Sequence, residues 1–270
     1  MEPKILFLGT GGDIAVTSKQ QRASGGIIVQ VDDCQFHIDP GPGALIQTAR
    51  HGINVRDHTA ILVSHTHLGH CNDVNAIIAA MTLNGMDKHG VLVASESFLE
   101  SNFLTEFHKN CVEKIIPAKA GKKIGIENIE IRTLTTEHED KEAIGFKLFT
   151  PKFILSYTSD TKYKKELADQ YNKSDILIIN HTYPFGAKKS KTLNSDDVVK
   201  IIKKAKPKLA ILTHFGKKLM NTNPIYEARE IQKLTGIQVI AAEDGMNIDP
   251  VSYSADMKQK TLNLYSKTKK

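Results

Sequence analysis

The chain has 270 residues, of which 40% are hydrophobic and 24% charged, a balance that supports a sizeable core and excludes disordered and collagen-like classes. A formal charge of +6 points weakly to anionic partners, but no ordered array of aromatics interleaves the lysines, so a nucleic-acid platform is not indicated. No apolar run approaches the ~18 residues of a membrane span, the first residues lack a secretory leader, and Cys34, Cys71 and Cys111 form no CxxC pair, so no membrane association and a cytoplasmic location are expected.

In chain order, Lys4 to Leu8 reads as a strand that runs into Gly9-Thr10-Gly11-Gly12-Asp13. This glycine turn has neither dinucleotide nor P-loop spacing, and Ile14-Ala15-Val16 beyond it reads as extended. Gly26 to Val31 and Cys34 to Ile38 form a hairpin about Asp32-Asp33, followed by a loop that Pro40, Gly41, Pro42 and Gly43 enforce. A helix from Ala44 to Arg50, a strand from Ala60 to Ser64, an amphipathic helix from Asn72 to Leu83 and a strand from Val91 to Ala94 complete the first half. The second half offers strands at Ile129 to Thr133, Gly145 to Phe149, Phe153 to Tyr157, Ile176 to Ile179, Leu209 to Leu212 and Val239 to Ala242. Helices fit Asp196 to Lys204 and Ile225 to Leu234. A hairpin start followed by strands with helices between them suggests two packed sheets with helices outside.

Three imidazoles, His65, His67 and His70, fall within six positions directly after an apolar run. His65 and His67 lie two apart, so an extended segment points both the same way, and imidazole is the commonest protein ligand for zinc and its neighbours. Cys71 adjoins His70, but adjacent residues rarely face one metal. His138 lies in the loop Thr135-Thr136-Glu137-His138-Glu139-Asp140 between two strands, while Asp160, His181 and His214 each follow an apolar strand. Strand ends converge on one sheet edge, where sites collect.

These segments, taken in order, resemble the metallo-β-lactamase fold family of metal-dependent hydrolases, in particular its ribonuclease Z and cyclic phosphodiesterase branch. The likeness is carried by Phe36-His37-Ile38-Asp39-Pro40-Gly41-Pro42-Gly43, His65-Thr66-His67-Leu68-Gly69-His70, the His138 segment with Gly145, Ser159-Asp160-Thr161, Leu212-Thr213-His214-Phe215 and Glu243-Asp244-Gly245-Met246. It implies an α/β protein built as an αββα four-layer sandwich, with a hydrolase domain over residues 1–257 and a lysine-rich tail over 258–270. It further implies that His65, His67 and His138 hold one metal, that His70 and His214 hold a second, that Asp160 bridges the two, and that Asp39 braces the histidine loop. Two cations about 3.5 to 4 Å apart activate water and polarise a phosphoryl or acyl oxygen. One or two Zn2+ per chain are expected, with Mn2+ or Fe as alternatives suited to the same donors.

One position departs from the family motif HxHxDH: the aspartate is replaced by Gly69. The second metal then binds more weakly, or Asp73, about one helical turn beyond His70, substitutes, or dinuclear chemistry has been lost. The leading expectation is a phosphodiesterase in which Asp160 and His181 are catalytic, His181 as proton donor to the leaving oxygen. The lysines Lys188, Lys189 and Lys191 after His181 would attract a small phosphorylated substrate or short nucleic acid. Transfer-RNA processing fits less well, because Asp160 follows His138 by only 22 positions and leaves no room for a substrate-gripping arm. Ester, thioester or lactone hydrolysis, or a binding or regulatory role prompted by Gly69, are the alternatives. A homo-oligomer is compatible with the sequence.

Overall fold

The computed structural model describes residues 2–188 and 191–254, so the expected tail at 258–270 lies outside the described residues. The first sheet contains β1 (Lys4–Phe7), β2 (Ile27–Val31), β3 (Cys34–Ile38), β4 (Ala60–Val63), β5 (Val91–Ser95) and β6 (Lys114–Ala118). These strands are hydrogen-bonded in sequence order, antiparallel up to β3 and parallel from β3 to β6. The second sheet contains β7 (Lys123–Ile126), β8 (Ile129–Thr135), β9 (Ile144–Phe149), β10 (Ile154–Tyr157), β11 (Ile176–Tyr183), β12 (Leu193–Asn194), β13 (Leu209–Thr213) and β14 (Gln238–Ala241). Its order is β14-β13-β11-β10-β9-β8-β7, with β12 beside β11, and β15 (Asn247–Ile248) returns to pair with β1.

Alternation along the strands explains why there are two sheets and not one. In β4, Ala60 and Leu62 enter the core between the sheets, which also holds Phe36, Phe146, Leu155 and Ile178, whereas Ile61 and Val63 face the opposite way. A strand apolar on both faces needs a cover on each. Outside the first sheet the cover is α4 (Val74–Thr82), through Ile77, Ile78 and Met81; outside the second it is α8 (Ser195–Ala205) and α10 (Pro224–Thr235), through Val198, Ile201, Ile202 and Ile231. The layers are therefore helix, sheet, sheet, helix, as expected.

The remaining helices are α1 (Ile14–Thr17), α2 (Ala44–Arg50), α3 (Leu68–Cys71), α5 (Glu96–Glu100), α6 (Glu106–Lys109), α7 (Lys165–Ala168), α9 (Lys217–Thr222) and α11 (Val251–Ser254). The first of these corrects the expectation of extended structure at Ile14 to Val16. Asp13 is an N-cap whose Oδ1 accepts from Val16 N at 2.9 Å, and one satisfied helix donor outweighs the β-branched side chains. The helix expected from Asn72 to Leu83 is α4, which begins two residues later at Val74 because Asp73 N donates to Pro40 O, and the separate short helix α3 precedes it. Strands β6 and β7 went unpredicted, since Lys114, Pro117 and Lys123 break the apolar pattern of these sheet-edge segments.

Candidate metal centre

The chain leaves β4 at Val63 and turns through Ser64 to His67 before entering α3. Asp39, at the end of the neighbouring β3, fixes this turn. Its Oδ1 accepts from Ser64 N at 2.7 Å, and its Oδ2 accepts from Ser64 Oγ at 2.7 Å, His70 Nδ1 at 2.8 Å and Tyr157 Oη at 2.8 Å. Because the Ser64 hydroxyl hydrogen goes to Asp39, its oxygen accepts from His65 Nδ1, 2.9 Å away. In both His65 and His70 the Nδ1 is thus engaged from behind, which leaves Nε2 as the atom each ring can offer to a cation, the arrangement that metal sites require.

His138 comes from the β8–β9 loop, and its Nε2 lies 3.3 Å from His67 Nδ1. Asp140, two residues on, ties the two loops together. Its Oδ2 accepts from Thr66 N at 3.2 Å, Thr66 Oγ1 at 2.9 Å and Ser97 Oγ at 2.7 Å. Asp160, following β10, receives Asn180 Nδ2 on Oδ1 at 2.7 Å. His214, following β13, has φ of +62°, a left-handed conformation packed on the glycine turn after β1. A Cβ on Gly12 would lie 2.1 Å from His214 O, so only glycine permits this approach. Asp244 holds the other side of the turn, accepting from Thr10 N at 2.8 Å and Ala23 N at 2.7 Å.

The side chains so placed form two groups that share one carboxylate. Donor atoms of His65, His67, His138 and Asp160 lie within 4.8 Å of one another, as do those of His70, Asp160 and His214. His70 Nε2 and His214 Nε2 are 3.1 Å apart, and Asp160 Oδ2 is 3.7 Å from the former. The buried His65 Nε2 and His138 Nδ1 have no hydrogen-bond partner. Buried nitrogens do not ordinarily stand unpaired, and a set of converging imidazoles around one carboxylate fits a divalent cation.

The electrostatics agree with that fit. Burial would lower the pKa of His70, yet Asp39 and Asp160 on either side of the ring push it up to about 10, so the surroundings favour positive charge at this point. Burial works against the Asp160 carboxylate, but His214 and His70 outweigh it and hold its pKa well below the ordinary value. His65, buried and hemmed in by other imidazoles, is held well below its usual pKa and is a neutral ring.

All six expected ligand positions are thus brought together, with Asp39 behind them. His181 is not, and its expected role as proton donor is corrected. Its neighbour Asn180 faces Asp160, and strand alternation turns His181 to the other side of β11, where it is fully buried and its Nε2 lies 2.8 Å from Ser195 Oγ. Asp73 does not replace the missing aspartate either: its Oδ2 accepts from Leu45 N at 3.4 Å, at the start of α2. Cys71 Sγ donates to Thr66 O and His67 O, supporting the loop from beneath. A Cβ on Gly69 would meet nothing within 4 Å, so the place of the family aspartate stands open. Sequence reasoning missed Asp140, Asn180, Tyr157 and Ser64 as positioning groups. Asp140 and Asn180 were within two residues of named candidates, but their partners are remote in sequence. A cleft of about 490 Å³ lies over the second group, lined by residues of the glycine turn, α1 and α3.

With fold and site in view, residues 35–215 match the family model described as "Beta-lactamase superfamily domain", and the chain belongs to this superfamily of metal-dependent hydrolases. It is 32% identical over 256 residues to an uncharacterized protein of Methanocaldococcus jannaschii, covering 92% of this chain and 96% of that one. It is also 25% identical over 174 residues to ribonuclease Z of Methanopyrus kandleri, covering 63% of this chain and 58% of the relative. Among solved structures, the metallo-β-lactamase fold protein YhfI of Bacillus subtilis superposes with a TM-score of 0.78 at 18% identity, over 92% of this chain and 99% of that one, a likeness of fold.

Proposed function

We propose that this protein is a phosphodiesterase acting on a small phosphorylated substrate or a short nucleic acid. The observation that carries the reading is the Asp160 carboxylate, which two imidazole groups share and which lines one cleft together with His67, His70 and His214. His65, His67, His138 and Asp160 would hold one cation, and His70, His214 and Asp160 a second, with zinc the first choice and manganese or iron compatible with the same donors. When bound, such cations activate water and polarise a phosphoryl oxygen. The chain's own part is to fix the donors. Asn180 orients Asp160, Asp39 orients His70, and Asp140 locks the His138 loop to the His65 loop.

Likeness to ribonuclease Z supports a phosphodiester bond as the target. The size of the substrate is argued from the chain: β9 and β10 occupy the segment from His138 to Asp160, which leaves no long arm for gripping a transfer RNA. One observation favours a second reading, hydrolysis of an ester, thioester or lactone. No Lys or Arg is among the described residues lining the cleft, and Lys191 of the lysine-rich loop is paired with Glu139. The test is turnover of bis(4-nitrophenyl) phosphate, 4-nitrophenyl acetate and a lactone by protein loaded with zinc, manganese or iron. Phosphodiester turnover that disappears in Asp160→Asn is expected. Turnover of the carboxylic ester or lactone alone, under every metal, would replace the first reading by the second.

A further inference from the structure

We infer that Ile14 and Leu68 form an apolar clamp for the organic substituent carried by the substrate's phosphoryl group, an inference that rests on the phosphodiesterase reading. The two residues come from separate segments, α1 and α3, yet both line the cleft that has His70, Asp160 and His214 among its walls. Their side chains are 76% and 52% exposed, while Val16, on the same short helix as Ile14, is fully buried. Val16 anchors α1 and Ile14 is left at the mouth of the cleft. Single exposed apolar residues are ordinary on a protein surface; two converging on one cleft that also holds His70, Asp160 and His214, with Pro42 and Thr17 lining it as well, are a binding feature.

The position of the clamp is fixed. Asp13 caps α1 through Oδ1 and accepts Lys217 N on Oδ2 at 2.8 Å, so the helix is tied to the segment that follows His214. Leu68 opens the short helix that carries His70. A phosphoryl group among the donor atoms would therefore carry its substituent past Leu68 and Ile14. Among the described residues no Lys or Arg lines the cleft, which further selects an apolar substituent over a second phosphate.

The experiment compares binding of phenylphosphonate and methylphosphonate to the zinc-loaded protein by calorimetry, for the wild type, Ile14→Ser and Leu68→Ser. Each variant should weaken phenylphosphonate about tenfold, the scale set by apolar contacts in a pocket, and leave methylphosphonate unchanged. Met86→Ser, a change at a residue 87% exposed and absent from the cleft lining, should alter neither. Equal losses for both ligands, or no loss for either, would overturn the clamp. If the wild type binds neither phosphonate, the phosphodiesterase reading is at fault. The clamp is then judged by the same comparison with phenylacetate and acetate, where selective loss of phenylacetate in the variants sustains it and no selective loss ends it.

Discussion

Asp39 and Gly69 bear on the same group of donors, that of His70, Asp160 and His214, in opposite ways. Asp39 is 3% exposed and accepts four hydrogen bonds, one of them from His70 Nδ1. Removing its carboxylate leaves His70 free to change tautomer, and loss of such a supporting group costs 10- to 100-fold in metal affinity as an order of magnitude. Asp39→Ala should therefore bind zinc about tenfold or more weakly, measured by competition with a coloured chelator; unchanged affinity would show that the brace is dispensable. Gly69 removes an anionic donor, and the space left for a side chain there is open. Gly69→Asp should tighten the second cation and raise phosphodiester turnover about tenfold or more, by analogy with the supporting-group scale. Metal counting by elemental analysis checks the first claim and kinetics the second, and a variant with unaltered metal content and rate would refute both.

At the scale of elements, the first sheet contains a directional chain of hydrogen bonds unrelated to the site. Gln35 Nε2 donates to Asn54 O at 2.9 Å and to His58 Nδ1 at 2.6 Å. His58 Nε2 must then donate to His37 Nδ1 at 3.1 Å, and His37 Nε2 to Gly25 O at 2.8 Å. Every nitrogen is used while both rings are neutral, so a proton on either breaks the chain. Burial lowers the pKa of His37 to about 4, with Gly25 O, Asp39 and Asp73 opposing only in part; burial and the neighbouring rings of His37 and His89 hold His58 well below 6.5. The unfolded state takes up protons first, so this contribution is complete above about pH 6.5 and is lost as pH falls towards about 4. Between pH 6.5 and 5 the loss from His37 is roughly 2 kcal/mol. Thermal melts across this range should show a shallower pH dependence for metal-free His37→Gln than for the metal-free wild type, and parallel curves would refute the assignment.

On the scale of the whole molecule, the apolar cores between and outside the sheets include none of the six residues of the two donor groups, so the fold is expected to form without a cation. A cation that binds only the folded chain still stabilises it, by about 2.7 kcal/mol at a hundredfold excess over its dissociation constant. Chelation should thus lower the melting temperature by on the order of 5 °C, with unchanged far-ultraviolet circular dichroism and recovery on adding zinc. Loss of secondary structure on chelation would contradict this division of labour. The sandwich, the strand-end histidines and Asp160 were legible in the sequence because each depends on local periodicity or on a short motif. So were the vacancy at Gly69 and the bracing role of Asp39. What only the tertiary structure decided is which way the side chains face at strand ends and turns. Asn180 turns to Asp160 and His181 away from it; Asp73 joins α2 and not the cluster; α1 exists because Asp13 caps it and Lys217 N secures the cap. Apart from the local Asp13 cap, such choices depend on partners from 14 to more than 200 positions away, and local sequence carries no record of hydrogen bonds that form only once the sheets have packed.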